Sequence, residues 1–255
     1  MSTTSRAPRL VAFDLDDTLA PSKSPVPEAI AAALADLLDR VPVCVISGGR
    51  FSQFRSQLLP GLDLGQGRAE RLHLMPTCGT RYLRMVSEED WREIYARDLS
   101  PETRARASAA IEREARRLGL WEDTTWGPAI EDRGSQITYS ALGQQAPLEA
   151  KATWDPDGTK KTRLRDALAP ILSDLEVRSG GSTSVDITAR GVDKAYGMRE
   201  LAAHTGIDLN DMVFVGDRLD PAGNDYPVKA LGVPCRAVSG WEETEGVIRE
   251  IIASL

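Results

Sequence analysis

Histidine and cysteine are scarce in this 255-residue chain, with two and three copies. His73 and His204 stand apart, and Cys44, Cys78 and Cys235 are scattered, so no metal-ligand spacing of these residues is present. Both histidines read as structural or surface residues. An odd number of separated cysteines makes no disulfide framework. Cys44 and Cys235 lie in apolar, strand-like runs and read as buried free thiols, which fits a reducing, cytoplasmic setting. An excess of basic residues is also missing. The 31 Lys and Arg against 38 Asp and Glu leave a net charge of −7, which argues against the basic face of a nucleic-acid binder. No apolar run is long enough to span a membrane, and the opening MSTTSRAPR lacks the apolar middle of a secretory signal. The chain has no internal repeat and no low-complexity tract. None of these absences excludes a small anionic substrate, which needs only a local cluster of cations, metal and N–H groups.

What is present is ordinary for a soluble globular chain, with 42% apolar and 27% charged residues. Three short buried strands are predicted at RLVAF, VPVCVI and LHLM, with a helix in PEAIAAALADLLDR whose Ile30, Leu34, Leu37 and Leu38 share one face. Strand, helix, strand in this order predicts parallel pairing. The character then changes. A helix from Pro101 to about Leu118 has Ser100 as its N-cap and Gly119 as its stop. Two strands are predicted around QITYSAL, a helix over 161–175, and a hairpin in DLEVRSGGSTSVDITA turning at Gly180-Gly181. After about Gly191 the first pattern returns, with a helix in DKAYGMRELAAHTG, strands MVFVGD and CRAV, and a final amphipathic helix. The fold class is therefore α/β. A parallel-sheet domain over 1–86 and 189–255 is interrupted by an α+β insertion with an antiparallel sheet over 87–188.

Four features carry chemistry. In FDLDDTL, Asp14 ends a buried strand, where ligands gather in open α/β sheets, and Asp16 follows two residues on. A carboxylate can attack phosphorus to form an aspartyl-phosphate, splitting one hard displacement into two easier ones. An anion approaching a phosphate needs a cation between them, usually Mg²⁺ on one or two carboxylates. A second acid can protonate the leaving oxygen and later deprotonate the acceptor. In VISGGR, Ser47 and the N–H groups of Gly48 and Gly49 follow a strand and suit phosphate oxygens. In GVDKAYG, Lys194 starts a helix, where a lone cation does not help the macrodipole and so points to another partner. In VFVGDRLDPAGNDYP, Asp217 ends another strand, and Asp220, Asn224 and Asp225 follow within eight residues. Singly, each feature also reads as a solvated turn or a surface lysine. Their occurrence together, at four element ends, is what singles them out.

In this order, Asp14-x-Asp16-x-Thr18, Ser47, Lys194 and Gly216-Asp217 resemble the motifs of the haloacid-dehalogenase-type phosphotransferases. The resemblance implies a Rossmann-like core with Asp14 as nucleophile, Asp16 as acid and base, Ser47 and Lys194 steadying the phosphoryl group, and Mg²⁺ held by Asp14, Asp16, Asp217 and Asp225. It also implies that the insertion is a cap that selects the substrate. Over nearly its full length the chain looks like the phosphomannomutase branch of that family, most specifically in GGSTSVDI-x-x-x-G-x-DK and GDRLDPAGNDYP. That likeness implies hexose 1-phosphate/6-phosphate interconversion. It implies substrate binding by Lys23, Gly48, Arg133, Gln144, Lys151, Ser184, Asp186 and Asn224, and a homodimer formed through the cap.

Two departures matter. Gln144 stands where the branch has an arginine on the distal phosphate, and Asp17 where it has a glycine. Losing a bidentate, charge-assisted contact weakens the grip a mutase needs on its second phosphate. A sugar-phosphate phosphatase, with water as acceptor, is therefore the alternative. A non-catalytic sugar-phosphate binder could dispense with Asp14 or Asp16, and both are present.

Overall fold

The computed structural model describes residues 7–65, 67–87 and 90–255. Along the chain its elements are β1 (Leu10–Phe13), α1 (Glu28–Leu38), β2 (Val43–Ile46), α2 (Phe51–Gln57), β3 (Leu72–Met75), β4 (Arg81–Ser87), β5 (Asp90–Ala96), α3 (Pro101–Arg117), β6 (Ile130–Asp132), β7 (Gln136–Ser140), α4 (Leu148–Trp154), α5 (Thr159–Leu168), β8 (Leu175–Ser179), β9 (Ser184–Ala189), α6 (Lys194–Thr205), β10 (Met212–Gly216), α7 (Tyr226–Ala230), β11 (Cys235–Ala237) and α8 (Thr244–Ser254). They form two compact units. Unit 1 is the chain up to Ala96 together with Asp193–Leu255, and unit 2 is Arg97–Val192.

Unit 1 holds a seven-stranded sheet in the order β11-β10-β1-β2-β3-β4-β5. The first five are parallel, and β4 and β5 continue the sheet antiparallel. β1, β2 and β3 are buried at every residue, as expected for strands covered on both faces. Alternate side chains divide the core. Val11, Phe13, Val43 and Val45 pack with Leu34, Leu37 and Ile248 of α1 and α8 on one face. Leu10, Ala12, Cys44, Ile46 and Phe214 pack with Met198 and Leu201 of α6 on the other. Among the described residues, no helix is long and apolar enough to cross a membrane.

The first boundary between units lies ten residues beyond the expected 86/87, because the β4–β5 hairpin pairs with the core sheet. The second, at 192/193, lies four residues beyond 188/189. Cys44 is buried, but Cys235 is only half-buried, since β11 is the edge strand of the sheet. His73 is buried, with Nδ1 2.7 Å from the Tyr82 hydroxyl, while His204 packs on the Tyr82 and Tyr95 rings from an exposed position.

Unit 2 is a four-stranded antiparallel sheet, β6-β7-β9-β8. One face carries Ile137, Tyr139, Val185 and Ile187 against α3 and α5. The alternation that buries these residues puts only polar side chains on the other face. Ser140 pairs with Ser184, Thr138 with Asp186, and Gln136 with Thr188. α3 begins as expected, with Ser100 Oγ accepting the Thr103 N–H at 3.1 Å and Pro101 in the first turn. α5 stops at Leu168 rather than at 175, because Pro170 has no N–H with which to continue the helical ladder.

Candidate active site

β1 and β10 are parallel neighbours, so the residues that follow them meet at the carboxyl ends of the strands. Asp14 is 4% exposed and donates its backbone N–H to the Val215 carbonyl at 3.0 Å. Lys194, 1% exposed at the start of α6, sets its Nζ 2.5 Å from Asp14 Oδ1 and 2.5 Å from Asp225 Oδ1. The Asp193 side chain caps α6 by accepting the Tyr196 N–H at 2.9 Å. α6 comes this close because Gly197 and Gly79 face each other. A Cβ on Gly79 would lie 2.4 Å from the Gly197 Cα, and one on Gly197 would lie 2.3 Å from Ile46 Cδ1.

Asp14, Asp217 and Asp225 each offer an oxygen within 4.8 Å of the others. The second acidic turn is tied to the first by Thr18, whose hydroxyl donates to Asp217 Oδ1 and accepts the Asp217 N–H, both at 3.1 Å. Asp225 Oδ2 accepts the Arg218 N–H at 3.1 Å. Burial pushes the Asp14 carboxyl well above the ordinary carboxylate range, with the Asp225 charge adding to the shift and Lys194 opposing it. Burial also raises Asp217, again with Asp225 adding. For Lys194, burial lowers the ammonium, but the Asp14 and Asp225 carboxylates outweigh it and hold it above the ordinary lysine value. Three carboxyl groups face one ammonium, a deficit of positive charge. Hard oxygen donors with that deficit fit a divalent cation.

Asp16 lies outside this group. Its Oδ2 accepts Gln53 Nε2 at 2.7 Å, and its Oδ1 accepts the Lys23 N–H at 2.8 Å and Gln57 Nε2 at 3.2 Å. α2 and the loop after β1 thus engage both of its carboxylate oxygens. Lys23 meets the site through its backbone N–H, with its side chain exposed. Asp17, where the resemblance expects glycine, has φ 60°, a left-handed conformation that aspartate tolerates better than most residues. The Ser47-Gly48-Gly49 turn follows β2, and Ser47 Oγ accepts the Gly49 N–H at 3.1 Å. That N–H therefore serves the turn itself. Asn224 is exposed in the loop before Asp225.

The remaining expected residues belong to unit 2. Gln144 Nε2 donates to Ser140 Oγ at 2.8 Å, Ser140 Oγ lies 3.2 Å from Ser184 Oγ, and Lys151 Nζ donates to the Gln144 carbonyl at 3.4 Å. Asp186 Oδ1 accepts Gln136 Nε2 at 2.9 Å and Thr138 Oγ1 at 2.8 Å on the same face. Arg133 pairs with Glu131 at 2.6–2.7 Å. Sequence reasoning missed Gln53, Gln57, Ser140 and Glu131. The i, i+4 spacing of the two glutamines after the Ser-Gly-Gly turn was the available signal for the first pair.

Residues 143–227, which include Lys194, Asp217 and Asp225, match the model of the haloacid dehalogenase-like hydrolases. The chain is similar to the phosphomannomutase of Spinacia oleracea, 26% identical over 238 residues that cover 88% of this chain and 87% of that one. It is 23% identical to the phosphomannomutase of Saccharomyces cerevisiae over 231 residues, covering 86% and 84% of the two chains. Two solved structures share the fold at low identity. A truncated Plasmodium falciparum IMP-nucleotidase gives a TM-score of 0.72 at 15% identity, over 98% of this chain and 71% of that one. The trehalose-6-phosphate phosphatase of Aspergillus fumigatus gives 0.56 at 18% identity, over 98% and 94%.

Proposed function

We propose that this chain, a haloacid-dehalogenase-type enzyme similar to phosphomannomutases, moves the phosphoryl group of a hexose phosphate through an aspartyl-phosphate on Asp14. The observation that carries this reading is the buried contact of Asp14 with Lys194 at the carboxyl end of the parallel strand β1. An Asp14 oxygen attacks phosphorus, the bond from phosphorus to the sugar oxygen breaks, and that oxygen takes a proton from Asp16. In the second half the acceptor gives its proton to Asp16 and attacks the phosphoaspartate, which frees Asp14. Lys194 balances charge on Asp14 before attack and on the phosphoryl oxygens after it. Asp14, Asp217 and Asp225 would hold Mg²⁺, which supplies the positive charge that lets one anion approach another. Ser47 and Gly48 line the phosphoryl side, and Asn224 lies beside the second acidic turn.

We assign sugar recognition to the polar face of unit 2, with Gln144, Lys151, Ser184 and Asp186. In the mutase reading, supported by the phosphomannomutase relatives, the acceptor is a second sugar phosphate. Two observations favour hydrolysis instead. Glu131 occupies the Arg133 guanidinium, and Gln144 bonds to Ser140 where a cation would hold a phosphate. Incubation with mannose 1-phosphate, a hexose 1,6-bisphosphate primer and Mg²⁺ separates the two. Mannose 6-phosphate supports the mutase, and free phosphate without it supports the hydrolase. Turnover that survives both Asp14→Asn and chelation of Mg²⁺ refutes the whole reading. The free thiols fit a cytoplasmic enzyme. A homodimer through unit 2 is the assembly expected by analogy, and sedimentation equilibrium tests it.

A further inference from the structure

We infer that Gln53 is a positioning residue for Asp16, with Gln57 as its support. The inference rests on the reading above, in which Asp16 protonates the leaving oxygen. Gln53 Nε2 donates to Asp16 Oδ2 at 2.7 Å and to Gln57 Oε1 at 2.9 Å. Gln57 Nε2 donates to Asp16 Oδ1 at 3.2 Å, from a position that is 3% exposed. The two glutamines are four residues apart on α2, so both amides lie on one helix face. With the Lys23 N–H, three donors fix both carboxylate oxygens.

The residue type matters as much as the contact. A carboxylate in place of Gln53 would repel Asp16, and an ammonium would pair with it and hold its charge. An amide orients a carboxylate through N–H donors without changing the local charge. The same side chain also reaches the opposite arm of the site. A Cβ on Gly49 would come within 2.0 Å of Gln53 Oε1, so Gln53 packs directly on the Ser47–Gly49 turn. One side chain therefore links the acid arm to the hydroxyl arm, and it requires glycine at position 49 to do so.

A group that positions an acid matters most when the leaving oxygen needs a proton. The test compares kcat/KM for mannose 6-phosphate, whose sugar alkoxide must be protonated, with p-nitrophenyl phosphate, whose phenolate leaves without help. Asp16→Asn, Gln53→Met and the double variant are measured beside the wild type, with thermal melts to confirm folding. Methionine keeps the length of glutamine and removes the donor. Gln53→Glu, which keeps the shape and replaces the amide with a carboxylate, is the second variant should the first fail to fold. Asp16→Asn and Gln53→Met should each lose about tenfold or more in excess on the sugar phosphate. In the Asp16→Asn background, Gln53→Met should add less than about threefold. Equal losses on both substrates in Gln53→Met, or an undiminished loss in the double variant, overturn the positioning role while leaving the Asp16 assignment intact. Equal losses on both substrates in Asp16→Asn overturn the acid–base reading itself, and the inference with it.

Discussion

Replacing Lys194 with methionine removes the ammonium that pairs with two buried carboxylates, Asp14 at 4% and Asp225 at 0% exposure. Taking one partner from a buried ion pair leaves an uncompensated charge and costs about 3–5 kcal/mol. For a chain of this size that lowers Tm by about 6–20 °C. The loss depends on pH, and its sign follows from the proton count. Burial and the Asp225 charge already raise the Asp14 carboxyl, and Lys194 opposes them. Without the ammonium the carboxyl rises further. Between the ordinary carboxylate value of 3.8 and that raised value, the folded variant keeps a proton that the unfolded chain has released. Stability therefore falls as pH rises through this window, and returns as pH falls. Melts in chelator at pH 5 and pH 8 should show the larger deficit at pH 8. A deficit of equal size at both pH values, or one below about 2 °C, would refute the argument that Lys194 is held there by the two acids.

Gly197→Ala should destabilise by about 1–3 kcal/mol, because its Cβ would meet Ile46 Cδ1 at 2.3 Å and the Cys78 carbonyl at 2.8 Å. An unchanged urea midpoint would disprove that tight approach of α6. His73 gives a second pH dependence. Burial, with the Arg84 charge, lowers its imidazole from 6.5 to about 3, so the unfolded chain binds a proton through this window that the folded one does not. The wild type should therefore lose stability as pH falls from 6.5 towards 3, and His73→Asn should flatten that slope in denaturant titrations. Parallel slopes would count against a neutral buried His73. Glu131→Gln removes the carboxylate paired with the Arg133 guanidinium and should tighten hexose 1,6-bisphosphate binding about tenfold, the worth of one charge-assisted bond. Unchanged affinity by calorimetry would remove Arg133 from substrate recognition.

Strands buried on both faces were the legible part of this fold. LVAF, VCVI, LHLM and MVFV are near-continuous apolar runs because nothing around them is wet. The β4–β5 hairpin escaped notice because β5 is an edge strand whose Arg92 and Glu93 interrupt any apolar run. That one omission displaced the first boundary. The site divides along a similar line. Asp14, Lys194, Asp217 and Asp225 stand at element ends, where a sequence pattern fixes position. The direction of a side chain is decided by its neighbours. The Asp16 carboxylate turns to α2, a helix that had not been predicted, and accepts the backbone N–H of Lys23. Arg133 met Glu131, two residues before it, through a contact that no spacing rule distinguishes from a solvated pair.

The interruption of unit 1 sets an order for synthesis at the ribosome. Leu10 pairs with Met212, so the centre of the main sheet cannot close until the chain has lengthened by about 200 residues. Before that point β1, β2 and β3 carry continuous apolar surface without their β10 neighbour. Unit 2 is one unbroken segment with its own apolar core, and all of its strands precede β10 in the chain. The nascent protein thus has the whole of unit 2 before Asp14 meets Lys194. The acidic cluster of unit 1 cannot assemble until β10 and the turn that carries Asp217 and Asp225 have been made.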